Sequence, residues 1–246
     1  MKSLFHYSSI NKLALILSSK KIRFNRLDFV NDPHEGKTGD FGSMAMYIFV
    51  SCWTKHEEEN LALWNMYTEK MRGVRIELSL PIFNTYKIGE LPGNIISEEQ
   101  YLNDRDGLFI LDAQNKPIDI IYTNNENELR PNIQNEIGLR TSNIGITKKT
   151  IWSLENESRY IMQIFPYDPN MPKSNFPDAY GKFIDQKIPP CINFYDVEIN
   201  KNAFEKMKIV IGPKVLAGDK EIIKALVSKF NPTAEIFEST LTNDIK

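Results

Sequence analysis

Cysteine is scarce in this 246-residue chain: Cys52 and Cys191 are the two present. They lie far apart, and neither belongs to a Cys-x-x-Cys pair, so a zinc or dithiol redox motif has no support. The pattern fits a reducing compartment, although two cysteines suffice for one disulfide. Histidine is equally sparse, at three residues, and these form no recognisable metal cluster. Long apolar runs are missing. The strongest, "LALIL" and "AMYIFV", fall far short of the roughly 20 residues that span a bilayer. The N-terminus passes almost directly into "SLFHY" without an apolar leader. These features read as a cytoplasmic chain with no membrane partner. A dominant charge is missing too: net charge is −2 and the pI about 6.0. No global basic field draws nucleic acid, which leaves only a local basic groove for such a partner.

Common catalytic signatures are also lacking. There is no GxxxxGK[ST], GxGxxG or GxSxG, and no HExxH or EF-hand loop. What is present is globular composition, with 41% apolar and 25% charged residues. A chain of this length buries a substantial core without staples and sits at the upper end of one domain, or suffices for two small ones.

The pattern along the chain is mixed. "SLFHY" reads as a strand and "SSINKLALILSSKK" as a helix. Ser9 suits the N-cap, and Ile10, Leu13, Ile16 and Leu17 form an apolar stripe. "IRFNRL", "AMYIFVSCW" and "GVRIELSL" read as strands, with helix "EEENLALWNMYTEK" before the last. From Pro81 to about Lys149 the sequence is rich in Asn and acids, and it is expected to form an inserted helical region or lid. "SNFPDAYGKFIDQKIPP" reads as a loop. The remainder gives strands in "ESRYIMQIF", "INFYDVEI", "KMKIVIG" and "TAEIFES", with helix "DKEIIKALVSKF". Runs of this kind, without regular alternation, predict an α+β domain.

Four polar sets interrupt the apolar pattern. His6 and Ser8 in "LFHYSS" share one strand face, as a hydrogen-bonded core pair or as ligand contacts. Asn31, Asp32, His34 and Glu35 crowd the turn "NDPHEG", where Asn and Asp commonly cap backbone groups. Ser51 lies in a core strand, and Trp64 and Tyr67 lie three apart on a helix, as core residues or as a wall for a flat ligand. Glu155, Glu157 and Arg159 fall at i, i+2 and i+4, which puts all three on one face of an extended segment. That triad is either a solvated ion pair or a site in which the guanidinium keeps a carboxylate ionised.

In this order, "LFHYSS", "KIRFNRLDFVNDPHE", "VSCWT", "LALWNMYTEKMRGVRIEL", "KKTIWSLENESRYI" and "MKIVIGPK" resemble DUF2971, a bacterial family of unassigned function. More distantly, "LFHYSSINKLALILSSKKIRF" resembles the opening of ADP-ribosyltransferase-type domains, with Glu155-Asn156-Glu157 in the place of their late Glu-x-Glu. The resemblance implies an ADP-ribosyltransferase-like fold, a split, mixed or antiparallel sheet around a cleft, and NAD as substrate. It implies that Glu157 stabilises an oxocarbenium-like state and that Glu155 orients the acceptor or serves as its base. His6 and Ser8 would anchor the nicotinamide ribose, Ser51, Tyr67 or Trp64 would line the nicotinamide, and Arg159 would organise Glu157 or meet phosphate. The acceptor is left open among protein, nucleic acid and small molecule. A toxin or phage-defence role follows from the same resemblance. Two rivals stand: a catalytically silent ligand- or partner-binding module, and a nuclease or phosphodiesterase holding a divalent metal between "NDPHE" and Glu155/Glu157.

Overall fold

The computed structural model of the chain describes residues 3–88, 91–103, 107–111, 113–136, 138–168, 170 and 176–245. Its largest sheet has eleven strands among the described residues, numbered here in chain order. They are β1 (Ser3–Ser8), β2 (Lys21–Arg26), β3 (Ile48–Thr54), β4 (Val74–Ser79), β5 (Leu102–Asn103) and β6 (Leu108–Leu111). There follow β7 (Ile118–Asp119), β8 (Glu157–Pro166), β9 (Phe194–Glu198), β10 (Lys208–Ile211) and β11 (Glu235–Glu238). The main path runs β11-β10-β4-β1-β3-β8-β6-β5. Every pairing in this sheet is antiparallel except β10 with β11. The fold is one α+β domain with a mixed, mostly antiparallel sheet.

The feature that positions the site is a fork along one edge of β3. Its other edge pairs with β8 from Ile48 to Thr54. On the forked edge, Thr54 pairs with Phe5 of β1, whereas Val50 and Phe49 pair with Asn25 and Arg26 of β2. Helix α1 (Ile10–Ser19) bridges the diverging strands. It starts where the sequence marks it: the Ser9 hydroxyl accepts from the Lys12 N–H at 3.3 Å, and Leu13, Ile16 and Leu17 turn inward. Helix α2 (Leu61–Tyr67) begins after its acids rather than among them, with the Asn60 side chain accepting from the Ala62 and Leu63 N–H groups. Helices α3 (Phe176–Asp185) and α4 (Ala217–Phe230) complete the longer helices.

Strand alternation sorts the two cores. Leu4, Phe49, Met162 and Ile209 pack with Leu13, Leu17 and Ile223 on the α1 side. Val50, Ile161 and Phe165 pack with Tyr47 and Ile184 on the opposite side. Among the described residues no helix is long and apolar enough to cross a membrane.

Two expectations are corrected. The described part of 81–149 is not helical: it holds two four-residue helices, Glu98–Tyr101 and Glu126–Leu129, amid short strands. The second helix is capped by Asn125 and closes at Arg130, because Pro131 disfavours a helical residue before it and carries no N–H. Nor does the segment lie wholly outside the sheet, since β6 and β7 both pair with the outer edge of β8. The second correction is α3, where a loop was expected. Pro177 lies in its first turn, a position that needs no N–H donor, so proline here starts a helix rather than breaking one.

Candidate functional site

The chain reaches the site through a change of backbone form. Thr150–Glu155 coils as a 3-10 helix, Asn156 adopts the left-handed conformation (φ 41°, ψ 53°), and Glu157 opens β8. Asn tolerates this region better than most residues. The expected extended alignment therefore holds only for Glu157 and Arg159. Glu155 joins them through the turn at Asn156.

All three enter one buried charge network. The Lys148 Nζ lies 2.6 Å from Glu155, 3.1 Å from Glu157 and 3.4 Å from Glu35. The Arg159 guanidinium donates to both oxygens of Glu157 and both of Glu35, and to the Gly145 carbonyl at 3.0 Å. None of the five side chains is more than 5% exposed. Three carboxylates thus face two cations, a surplus of one negative charge when all are ionised. The Tyr67 hydroxyl donates to Glu155, and the Tyr122 hydroxyl accepts from the Glu157 N–H at 2.8 Å.

The network drives the two carboxylates in opposite directions. Burial pushes the Glu157 pKa up, but Arg159 and Lys148 outweigh it and hold the group down at about 2. Glu155 is pushed up, because burial exceeds what Lys148 and Tyr67 give back. Burial favours a neutral amine at Lys148, yet Glu157 and Glu35 reverse this and keep it charged. Burial and the Glu157 carboxylate raise the Cys52 thiol, which stays protonated. Burial and Glu155 likewise raise the Tyr67 hydroxyl, so it remains a donor.

His6 fills the fork. Alternation puts it with Leu4 and Ser8 on the α1 face, whereas Glu157 shares the opposite face with Cys52 and Arg159. At His6 the β1 backbone has left β3, and the ring Nδ1 instead lies 2.9 Å from the Cys52 carbonyl. A carbonyl only accepts, so Nδ1 carries the proton and Nε2 is left as an acceptor. Burial lowers the ring's pKa, despite the Cys52 carbonyl, and keeps it neutral. The ring also packs on Trp53 at 5.2 Å.

Through the fork the two faces communicate. A pocket of about 380 Å³ is lined by His6, Tyr7, Cys52, Tyr67, Glu155 and Glu157. A larger cleft of about 1020 Å³, open to solvent, shares most of these and adds Lys12, Arg23, Asn25 and Phe29, with Lys148 and Arg159 at its floor. The structure therefore brings His6, Tyr67, Glu155, Glu157 and Arg159 to one place. Ser8 lies in the adjoining groove with His6.

Two sequence candidates do not join. Ser51 faces the α1 side, opposite Glu157, where its hydroxyl accepts from the Trp53 Nε1–H at 2.9 Å. Trp64 is wholly buried: its ring packs edge-on to Tyr7 at 4.9 Å, and its Nε1–H donates to Glu59 at 2.9 Å. Tyr67 is the ring of that helix left at the cleft, 37% exposed. The "NDPHE" turn splits its labour. Asp32 accepts from the His34 N–H at 2.9 Å and shapes the turn, and Glu35 reaches Arg159. The position a divalent metal would take among Glu35, Glu155 and Glu157 is occupied by the Lys148 ammonium.

Sequence reasoning missed Lys148, Cys52 and Tyr122 as site residues. Lys148 in "TKKT" has the look of a solvated charge, and nothing local marks it as buried. In comparisons with known proteins, no family model, no curated protein and no solved structure matches the chain.

Proposed function

We propose that the cleft binds NAD and that the chain is a DUF2971-like protein of ADP-ribosyltransferase type. The observation that carries this reading is the buried pair Glu155 and Glu157. Their pKa values are driven apart, up and down respectively, and both open onto the pocket that neutral His6 lines. Carboxylates split in this way divide into a permanent anion and a proton carrier. Glu157, with the network's surplus negative charge behind it, stabilises the positive charge that develops on the ribose ring. The bond between the nicotinamide nitrogen and ribose C1′ breaks, and nicotinamide leaves with the bonding electrons. The acceptor's nucleophile bonds to C1′ and its proton passes to Glu155. His6 Nε2 accepts from a ribose hydroxyl, and Tyr67 and exposed Phe29 offer faces for the rings. A toxin or defence role belongs to the same proposal.

One observation favours a second reading, a ligand-binding module without turnover. Both Glu157 oxygens are already engaged by Arg159, and one of them also by Lys148. The experiment measures NAD binding and nicotinamide release by wild type beside Glu157→Gln, with labelled NAD to reveal the acceptor. Release that is lost in Glu157→Gln supports the transferase. Binding without release supports the silent module. Absence of both sinks the NAD reading.

A further inference from the structure

We infer that the groove between α1 and β2, on the far side of His6 from the carboxylates, is a phosphate-binding subsite of the same cleft. Its identity as part of an NAD site rests on the proposed function; its affinity for phosphate does not.

The first observation is an orphaned hydroxyl. Ser8 is 1% exposed, its Oγ has no hydrogen-bond partner among the described residues, and the residue lines this groove. Buried polar groups are nearly always satisfied, so an unpaired one calls for an absent partner. The second is charge. The groove, of about 710 Å³, is lined by Lys12, Lys21 and Arg23 against the single carboxylate of Asp196. Lys12 forms no ion pair among the described residues, yet it lies near enough to oppose protonation of His6. The third is preorganisation. Asp196 holds Arg23 through two bonds of 2.9 and 3.1 Å, and the guanidinium stacks 3.4 Å from the Phe194 ring centroid. Its three remaining N–H groups are thereby fixed in direction, as suits a planar donor to phosphate.

His6 belongs to the groove, the carboxylate pocket and the wider cleft alike. A ligand that uses all of it carries an anion at one end and a centre of developing positive charge at the other. A phosphorylated ribose has that polarity. The opposite polarity would put phosphate against Glu155 and Glu157, where the surplus negative charge repels it.

The test titrates the full chain with pyrophosphate, ADP and NAD by calorimetry. The variants are Lys12→Glu and Ser8→Ala, with Lys116→Glu as an exposed control beyond the outer edge of β8. Pyrophosphate and ADP should bind wild type and the control equally, and about tenfold or more weakly to Lys12→Glu, the loss of one charge-assisted contact. Ser8→Ala should weaken binding while its melting temperature holds or rises, because it deletes an unsatisfied hydroxyl. Equal affinity of wild type and Lys12→Glu, or no binding of pyrophosphate and ADP by wild type, overturns the subsite. NAD binding that ignores Lys12→Glu overturns the subsite alone. Lys12-dependent pyrophosphate binding without NAD binding supports the subsite and overturns the NAD reading.

Discussion

Lys148 is the residue on which the site's electrostatics turn. Its ammonium touches Glu35, Glu155 and Glu157, and without it Arg159 alone faces three buried carboxylates. Breaking a buried pair leaves an uncompensated charge, so Lys148→Met should lower stability by about 3–5 kcal/mol in urea denaturation. Lys148→Met combined with Glu155→Gln should recover part of that loss, since the surplus falls from two negative charges back to one. The same network sets an acid limit. Glu157 has a folded pKa of about 2 against an ordinary 4.5. Its contribution, about 3 kcal/mol, is complete above 4.5 and is lost as pH falls towards 2. His6, lowered from 6.5, acts in the same sense: below 6.5 the unfolded chain takes up a proton that the fold refuses. Glu155, raised, opposes both, because the folded state holds its proton first as pH falls. Urea midpoints should therefore fall from pH 7 towards pH 3, and in Glu157→Gln the limb below 4.5 should flatten.

Among the elements, β1 carries the most constraint. It pairs with β4 along its full length but with β3 only at Phe5, and His6 takes over where that ladder ends. Its position against β4 depends on Gly73, where an added Cβ would stand 2.2 Å from the Ser8 carbonyl oxygen. Gly73→Ala should push β1 outward at Ser8 and cost about 1–3 kcal/mol, read as a lower melting temperature. The N-cap of α1 is a milder control: Ser9→Ala should cost about 1 kcal/mol without touching the cleft. Both elements were legible in the sequence, since α1 announces its cap and stripe and β1 its aromatic run. Helix α3 and the strands of 81–149 were not. In α3 proline and glycine mimic breakers, and short edge strands draw their stability from pairing with β8 rather than from their own pattern.

At the scale of the molecule, the sheet joins both ends of the described chain. β1 lies between β3 and β4, and β11 closes the opposite edge beyond β10. Removing residues 1–8 would expose the inner edges of β3 and β4 and delete the Leu4 core contact. The expected product lacks a cooperative unfolding transition and binds a hydrophobic dye; a sharp transition with native circular dichroism would count against this view. Residue types and their periodicity determined the α+β class, most long strands, the α1 cap and the pairing of Glu157 with Arg159, because those depend on contacts within a few residues. Only the tertiary structure decided which polar residues meet. Lys148, Glu35 and Cys52 come from three separate stretches, and local periodicity carries no information about such encounters. It also decided the fate of "LFHYSS": the fork in the sheet leaves the Cys52 carbonyl for His6 to hold, and the Ser8 hydroxyl beside it without a partner among the described residues.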